Sequence, residues 1–214
     1  MHDTESFLIP NYRAPVGFPA LLGARVLVLL DAENLSYALA PQQQDVDYGR
    51  LRADLCASAD EVQGHVIATV IDDDQADLHA HRCFQATGWT AHLTRRVTAG
   101  RYKRTNADPQ ILLHAGQLIE RHRPDVVVLG SADGALGFEL ALFVKRLATR
   151  TRFMTLSAPG GLACLLLTTR NPRVDANLYL QPPHIGRLAP PEIDTGARSS
   201  CSQPIAPAWR DPEI

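Results

Sequence analysis

An unbroken apolar run that ends on an acid constrains the fold of this chain more than any other feature. Residues 26–30 read VLVLL, and Asp31 follows them directly. Such a run is typical of a strand that is buried on both faces of a parallel sheet. Open α/β sheets bind ligands at the carboxyl edge of their strands, so Asp31 and Asn34 are predicted to lie in a site there. The alternative is that these two residues only cap the helix that begins near Leu35.

The same arrangement recurs further along the chain. A second apolar strand, 125–130, ends in a turn that holds Asp133, and the strand predicted at 65–71 ends in three aspartates, 72–74. Strands that alternate with helices predict an α/β three-layer sandwich with a doubly wound, mostly parallel sheet. Right-handed crossovers then bring the acids at the strand ends to one edge of that sheet. The other predicted strands cover 89–97, 152–157 and 174–180, and the predicted helices cover 48–55, 77–87, 108–122, 136–148 and 161–168.

Proline content and apolar patterning set the predicted boundaries of the folded part. With 214 residues the chain is long enough for one α/β domain with a sizeable core. Residues 1–22 read as an irregular arm, and residues 23–180 form the predicted domain. Residues 181–214 are rich in proline and serine and read as a disordered tail.

Composition excludes several classes of protein. The formal net charge of -2 gives no overall attraction to nucleic acid, so any such contact has to be local. No apolar run approaches the ~20 residues that a membrane-spanning helix needs, and the acidic, proline-broken start is unlike a signal peptide. The four cysteines form no C-x-x-C pair, which argues against a zinc ribbon or a disulfide framework. A reduced, cytoplasmic setting is therefore expected, with no membrane partner.

Three acids are the candidates for a metal site. Asp31 and Asp133 end strands, and Asp108, followed by proline, has the signature of a helix start at the same edge. Carboxylates brought together repel one another, and a divalent cation removes that repulsion. Hard oxygen ligands favour Mg²⁺ or Mn²⁺, which can activate water for attack on a phosphodiester. The alternative is that Asp108 is only a helix cap and Asp133 only a turn residue.

A cluster of cations precedes Asp108 in the chain. Because it lies beside the acids in sequence, it is a candidate for holding a phosphate backbone that leads into the site. A solvated loop is the alternative explanation. The five cations are Arg95, Arg96, Arg101, Lys103 and Arg104.

In order along the chain, these motifs resemble those of the NYN domain, a member of the PIN-like nuclease superfamily. The shared pattern is an apolar strand followed by D-x-E-N-L, a basic loop, an acid opening a long helix, and V-V-L-x-S-x-D, and it runs from Arg25 to Leu180. The resemblance implies a PIN-like sheet and metal-dependent cleavage of RNA by acids on the strand edge. By position it assigns Asp31, Asn34, Asp108 and Asp133 to that site, and Lys103 matches the basic residue before the long helix.

Two positions depart from the family pattern. His114 stands where the family often has a second acid in the long helix, and Ala135 stands where it usually has an acid after the last strand motif. Fewer carboxylates weaken metal binding. The chain is then a poor nuclease, a nuclease that uses another acid such as Asp72 or Glu139, or a descendant that only binds.

The leading hypothesis is a Mg²⁺- or Mn²⁺-dependent endoribonuclease, a hydrolase with RNA as its partner. Asp31, Asp108 and Asp133 would hold the metal, Asn34 would orient a ligand or phosphate, and the cations would grip the backbone. The second hypothesis is a catalytically weak or silent RNA-binding or protein-interaction module. A phosphatase-type domain is a third, disfavoured because the first strand lacks D-x-D. The oligomeric state, including a homo-oligomer, is left open.

Overall fold

A computed structural model gives the structure of residues 17–70, 81–95, 97–99, 102–104 and 107–187, with the backbone alone for residues 70, 95, 97–99 and 102–104. The strands in this part of the chain are β1 (Arg25–Asp31), β2 (Gln44–Val46), β3 (Glu61–Val70), β4 (Thr90–Arg95), β5 (Val97–Ala99), β6 (Tyr102–Arg104), β7 (Val126–Gly130), β8 (Arg152–Ser157), β9 (Ala176–Tyr179) and β10 (Ile185–Arg187). The α-helices are α1 (Ala32–Leu39), α2 (Tyr48–Ser58), α3 (Ala107–His122) and α4 (Gly134–Leu147), and residues 81–86 are also helical.

A six-stranded sheet forms the centre of the molecule, in the order β4-β3-β1-β7-β8-β9. Every pairing between its neighbours is parallel, so all six strands end at the same edge. The predicted strands 26–30 and 125–130 pair directly, with Val26 beside Val126 and Leu30 beside Gly130. This confirms the predicted α/β architecture with a mostly parallel sheet.

Helices cover both faces of the sheet, which explains the unbroken apolar run in β1. Val26, Val28 and Leu30 point into a core shared with α1 and α2, whereas Leu27 and Leu29 point into a core shared with α3 and α4. All five side chains are at most 2% exposed. A strand sandwiched in this way needs an apolar residue at every position rather than at alternate ones.

The packed unit extends past both ends of the predicted range 23–180. Phe18 and Leu21 lie in the core before β1, and Arg187 belongs to β10, which pairs antiparallel with β2. His184 is fully buried, and its Nε2 bonds Asp54 Oδ2 at 2.9 Å. These anchors are single side chains among prolines. They form no periodic apolar pattern from which their burial could be predicted.

Several elements differ locally from the prediction. α1 begins directly after Asp31 rather than near Leu35, and the basic loop contains the small antiparallel hairpin β5–β6. The helix predicted at 161–168 is a single 3-10 turn, Cys164–Leu166. Part of the helix predicted at 77–87 and the aspartates 72–74 fall outside the described residues. Among the described helices, none is both long enough and apolar enough to cross a membrane.

Candidate active site

Asp31 lies at the carboxyl edge of the sheet and is almost fully buried, at 5% exposure. It is also the N-cap of α1, since its Oδ1 accepts the backbone N–H of Asn34 at 3.1 Å. The helix-cap explanation is therefore right about the hydrogen bond. It leaves unexplained why a carboxyl group that needs only to cap a helix is held out of solvent beside other acids.

Hydrogen bonds fasten the end of β1 to the loop after β7. Asn34 Oδ1 accepts the Ala132 N–H at 2.7 Å, and the Ser131 hydroxyl donates to Asp31 Oδ2 at 3.4 Å. The same hydroxyl accepts the Asp133 N–H at 3.1 Å. Ser131 thus links the two aspartates, a role that sequence reasoning did not assign to it, although the S-x-D pattern contained the signal.

Asp133 caps α4 as Asp31 caps α1. Its Oδ1 accepts the N–H groups of Ala135 at 2.7 Å and Leu136 at 3.1 Å. Within the described part of the chain its Oδ2 takes no hydrogen bond, so that oxygen is available as a ligand. Both strand-end acids therefore combine a cap with a place at the sheet edge.

Asp108, in the first turn of α3, joins the two strand-end acids electrostatically. Its pKa is raised, first by partial burial and then by the charges of Asp133, Glu139 and Glu33. The pKa of Asp31 is raised to about 7, mainly by burial; the Asn34 N–H opposes this rise, and the charge of Asp108 adds to it. The structure thus brings Asp31, Asp108 and Asp133 into one acidic neighbourhood. Glu139 lies near enough to Asp108 for its charge to raise the pKa of Asp108.

The acids form a loose group rather than a closed ligand shell. In the ranges that the structure describes, no three His, Cys, Asp or Glu side chains converge closely enough to hold a metal ion. In Asp31 and Asp133, one of the two carboxylate oxygens also accepts the hydrogen bond that caps a helix. The donors are nevertheless hard oxygens, and Mg²⁺ is commonly held by one or two carboxylates while keeping several waters. The donor chemistry fits such an ion, with water completing its shell.

His114 packs with other histidines and not with the acids. Its ring lies 3.9 Å from that of His92, centroid to centroid. His65 Nδ1 and His92 Nε2 are 2.9 Å apart, as in an N–H···N hydrogen bond. The His65 and His92 pKa values are both lowered to about 4, chiefly by burial. His114, which replaces the acid of the family pattern, therefore completes a row of three histidines, His65, His92 and His114, between the sheet and α3.

The basic segment is described only in its backbone. Val97 pairs with Arg104 and Thr98 with Lys103 in the β5–β6 hairpin, and Asp108 follows four residues after Arg104. The side chains of Arg95, Lys103 and Arg104 and all of Arg96 and Arg101 lie outside the described structure. The hairpin connects the end of β4 with the start of α3. The basic segment therefore directly precedes Asp108 in the chain.

The mostly parallel six-stranded sheet with helices on both faces is consistent with the fold of the PIN-like nuclease superfamily. The NYN domain matches residues 25–162, more than half of the chain, and the chain belongs to the NYN domain family. Proteins of this superfamily are generally nucleases acting on RNA.

Comparison with solved structures gives the same fold. The crystal structure of a protein of unknown function from Vibrio parahaemolyticus is similar, with a TM-score of 0.58 and 18% sequence identity. The similarity covers 76% of this chain and 96% of that one. Among the curated proteins, none matches this chain in sequence.

Proposed function

We propose that this protein is a metal-dependent endoribonuclease that cleaves RNA at the carboxyl edge of its sheet. The observation that carries the proposal is the burial of Asp31, which, with the nearby charge of Asp108, raises its pKa to about 7. A buried carboxyl group in an acidic neighbourhood is costly for a fold to keep and is characteristic of functional sites. A divalent cation is the partner that would offset that cost.

Asp31, Asp108 and Asp133 would each offer the ion a carboxylate oxygen. A Mg²⁺ or Mn²⁺ ion bound there supplies Lewis-acid activation of water and neutralises charge on the attacked phosphate. Deprotonation of Asp31 is required first, because a protonated carboxyl group is a poor ligand. We therefore expect ion binding to strengthen as the pH rises through about 7.

Asn34 would position the site and contact the substrate. Its Oδ1 is occupied by the Ala132 N–H, which holds the loop of Asp133 against α1. Within the described residues its Nδ2 donates no hydrogen bond, so its amide hydrogens could be donated to a phosphate oxygen. Arg95, Arg96, Arg101, Lys103 and Arg104 would hold the RNA backbone next to the acids. If one of these cations binds a phosphate, its replacement by alanine would reduce the salt dependence of RNA binding.

The test is cleavage of a fluorescently labelled single-stranded RNA with Mn²⁺ or Mg²⁺. The unmodified protein should cleave, EDTA should stop the reaction, and Asp31→Asn should lower the rate by a factor of at least about 100. Asp47→Asn is the matched control, because Asp47 also caps a helix, accepting the Arg50 N–H at 2.8 Å, but belongs to α2. An equal fall in rate in both variants would show that helix capping, not the site, is being measured.

A second candidate is an RNA-binding module without catalysis. It is favoured by the absence of family acids at His114 and Ala135 and by the looseness of the acidic group. In that case RNA would bind with or without metal, Asp31→Asn would leave binding unchanged, and no cleavage would be seen with either ion. The cleavage assay and a binding assay on the same RNA therefore separate the two functions.

A further inference from the structure

The outer face of α4 presents apolar side chains to solvent. Leu113 on the adjoining α3 is 55% exposed, and on the flanks of α4 Leu147 is 45% exposed and Phe138, with Arg173 lying over its ring, is 41% exposed. Between the two helices runs a groove of about 430 Å³ lined by Leu112, Leu113, Glu139, Leu142, Phe143 and Arg146. Isolated exposed apolar residues are ordinary, but several grouped in and beside one groove mark an interaction surface.

Two charged residues stand in the middle of this face. Glu139 and Arg146 are seven residues apart on α4, so they lie on the same side of the helix, two turns or about 10 Å from one another. Neither makes an ion pair with any residue in the described ranges. They are positioned to meet opposite charges on another surface.

The charged residues of this face are arranged symmetrically about a point between Leu142 and Phe143. Glu139 and Arg146 are equally far from that point along α4, and Phe138 and Leu147 lie on the two opposite flanks of the face. A two-fold axis can be placed beside this point, between two packed α4 helices and perpendicular to both helix axes. It relates α4 to an antiparallel α4 of a second copy. The operation sets Glu139 of each copy against Arg146 of the other.

We propose that a second copy of this chain packs on this face, with the two α4 helices antiparallel about that axis. A two-fold interface uses the same patch on both subunits, so the patch has to be complementary to itself. Opposite charges at mirrored positions around an apolar centre satisfy that requirement. The ion pairs would set the register of the two helices, and the groove residues would supply the apolar burial.

Charge reversal tests the register directly. Glu139→Arg alone faces arginine with arginine across the axis, and Arg146→Glu alone faces glutamate with glutamate. Mixing the two variants restores both opposite-charge pairs in a heterodimer, because one contributes two arginines and the other two glutamates. Sedimentation velocity over a dilution series measures the association in each case. Arg170→Glu, which reverses an exposed charge outside α3 and α4, is the matched control.

The proposal predicts that the unmodified chain and Arg170→Glu are dimers that dissociate on dilution. Each α4 variant alone should associate at least roughly tenfold more weakly, and the equimolar mixture should recover the dimer. Glu139 and Arg146 are both exposed, so the circular dichroism spectrum of each variant should match that of the unmodified protein. A monomer at every concentration, an unaffected dimer in either variant, or a mixture that stays monomeric would overturn the proposal.

Discussion

At the scale of single residues, Asp31 serves two roles with conflicting requirements. As an N-cap it only needs an acceptor oxygen, and it accepts the Asn34 N–H. As a site residue it has to be ionised, although burial raises its pKa from an ordinary 3.8 to about 7. Asparagine caps a helix as well as aspartate does, so replacing the acid separates the two roles.

We predict that Asp31→Asn stabilises the metal-free protein at pH 8 while removing the site. The folded protein binds the Asp31 proton more tightly than the unfolded chain does, so this residue favours folding below pH 4 and progressively loses that contribution up to about pH 7. The difference corresponds to an upper limit of about 4 kcal/mol. Urea unfolding at pH 4 and pH 8 measures it. A variant that gains no stability at the higher pH relative to the lower would contradict the burial argument.

At the scale of elements, α3 sits on the histidine row formed by His65, His92 and His114. The pKa values of His65 and His92 fall to about 4 because burial penalises their charged forms. The positive charges that face His65 and add to the effect are those of His92, His122, His114 and, from α2, Arg52. The row therefore stays neutral at physiological pH, and charging it would push α3, with Asp108, away from the sheet.

We predict that the contribution of His65 and His92 to stability is lost as the pH falls from 6.5 towards 4, in opposition to the gain from Asp31. The unfolded histidines take up protons near pH 6.5 whereas the folded ones resist until about pH 4, so the stability present above pH 6.5 is lost over that interval. By pH 5 the loss should be on the order of 2 kcal/mol for each of the two histidines. Chemical denaturation of the unmodified protein and of His92→Gln checks this, and an equally steep loss in both would refute it.

Most of the elements, but not all, can be predicted from the sequence. Three elements are predictable from their own residues: β1 and β7 from their apolar runs, and α3 from its Asp-Pro start. A strand or helix that buries a whole face carries apolar residues at regular positions, and that regularity can be recognised in the sequence. β2 and β10 are three residues each and bury little, so they leave no pattern. Asp31 and Asp133 can be predicted to lie near one another because strand ends converge in a parallel sheet, and Asp108 because its helix begins at the same edge. The bonds of Ser131 to Asp31 and of Asn34 to Ala132 form only because β1 pairs with β7.

At the scale of the whole molecule, both flanks of the domain meet at His184. Its ring stacks on Phe18 at 5.3 Å, and its Nδ1 accepts the Gln181 N–H at 3.0 Å. Its Nε2 bonds Asp54, whose carboxylate also accepts from Arg50 at 3.0 Å. One buried side chain thus joins the segment after β9, the segment before β1, and α2.

We predict that His184→Ala costs about 3 kcal/mol of stability, because it leaves the buried Asp54 without one partner and opens a cavity beside Phe18. Arg187→Ala, in the same terminal segment but exposed, should change the free energy of unfolding by less than about 0.5 kcal/mol. Thermal and urea unfolding of both variants make the comparison. Equal stabilities would show that the segment around His184 contributes nothing to the domain.

The central claim is that the acids at the sheet edge bind a divalent ion. Electron paramagnetic resonance of free Mn²⁺ during a titration with protein measures this without any substrate. We predict a saturable Mn²⁺ site that Mg²⁺ displaces, that weakens as the pH falls below about 7, and that is lost in Asp31→Asn but retained in Asp47→Asn. An unmodified protein that binds no Mn²⁺ at pH 8, or binding that survives Asp31→Asn undiminished, would contradict the claim.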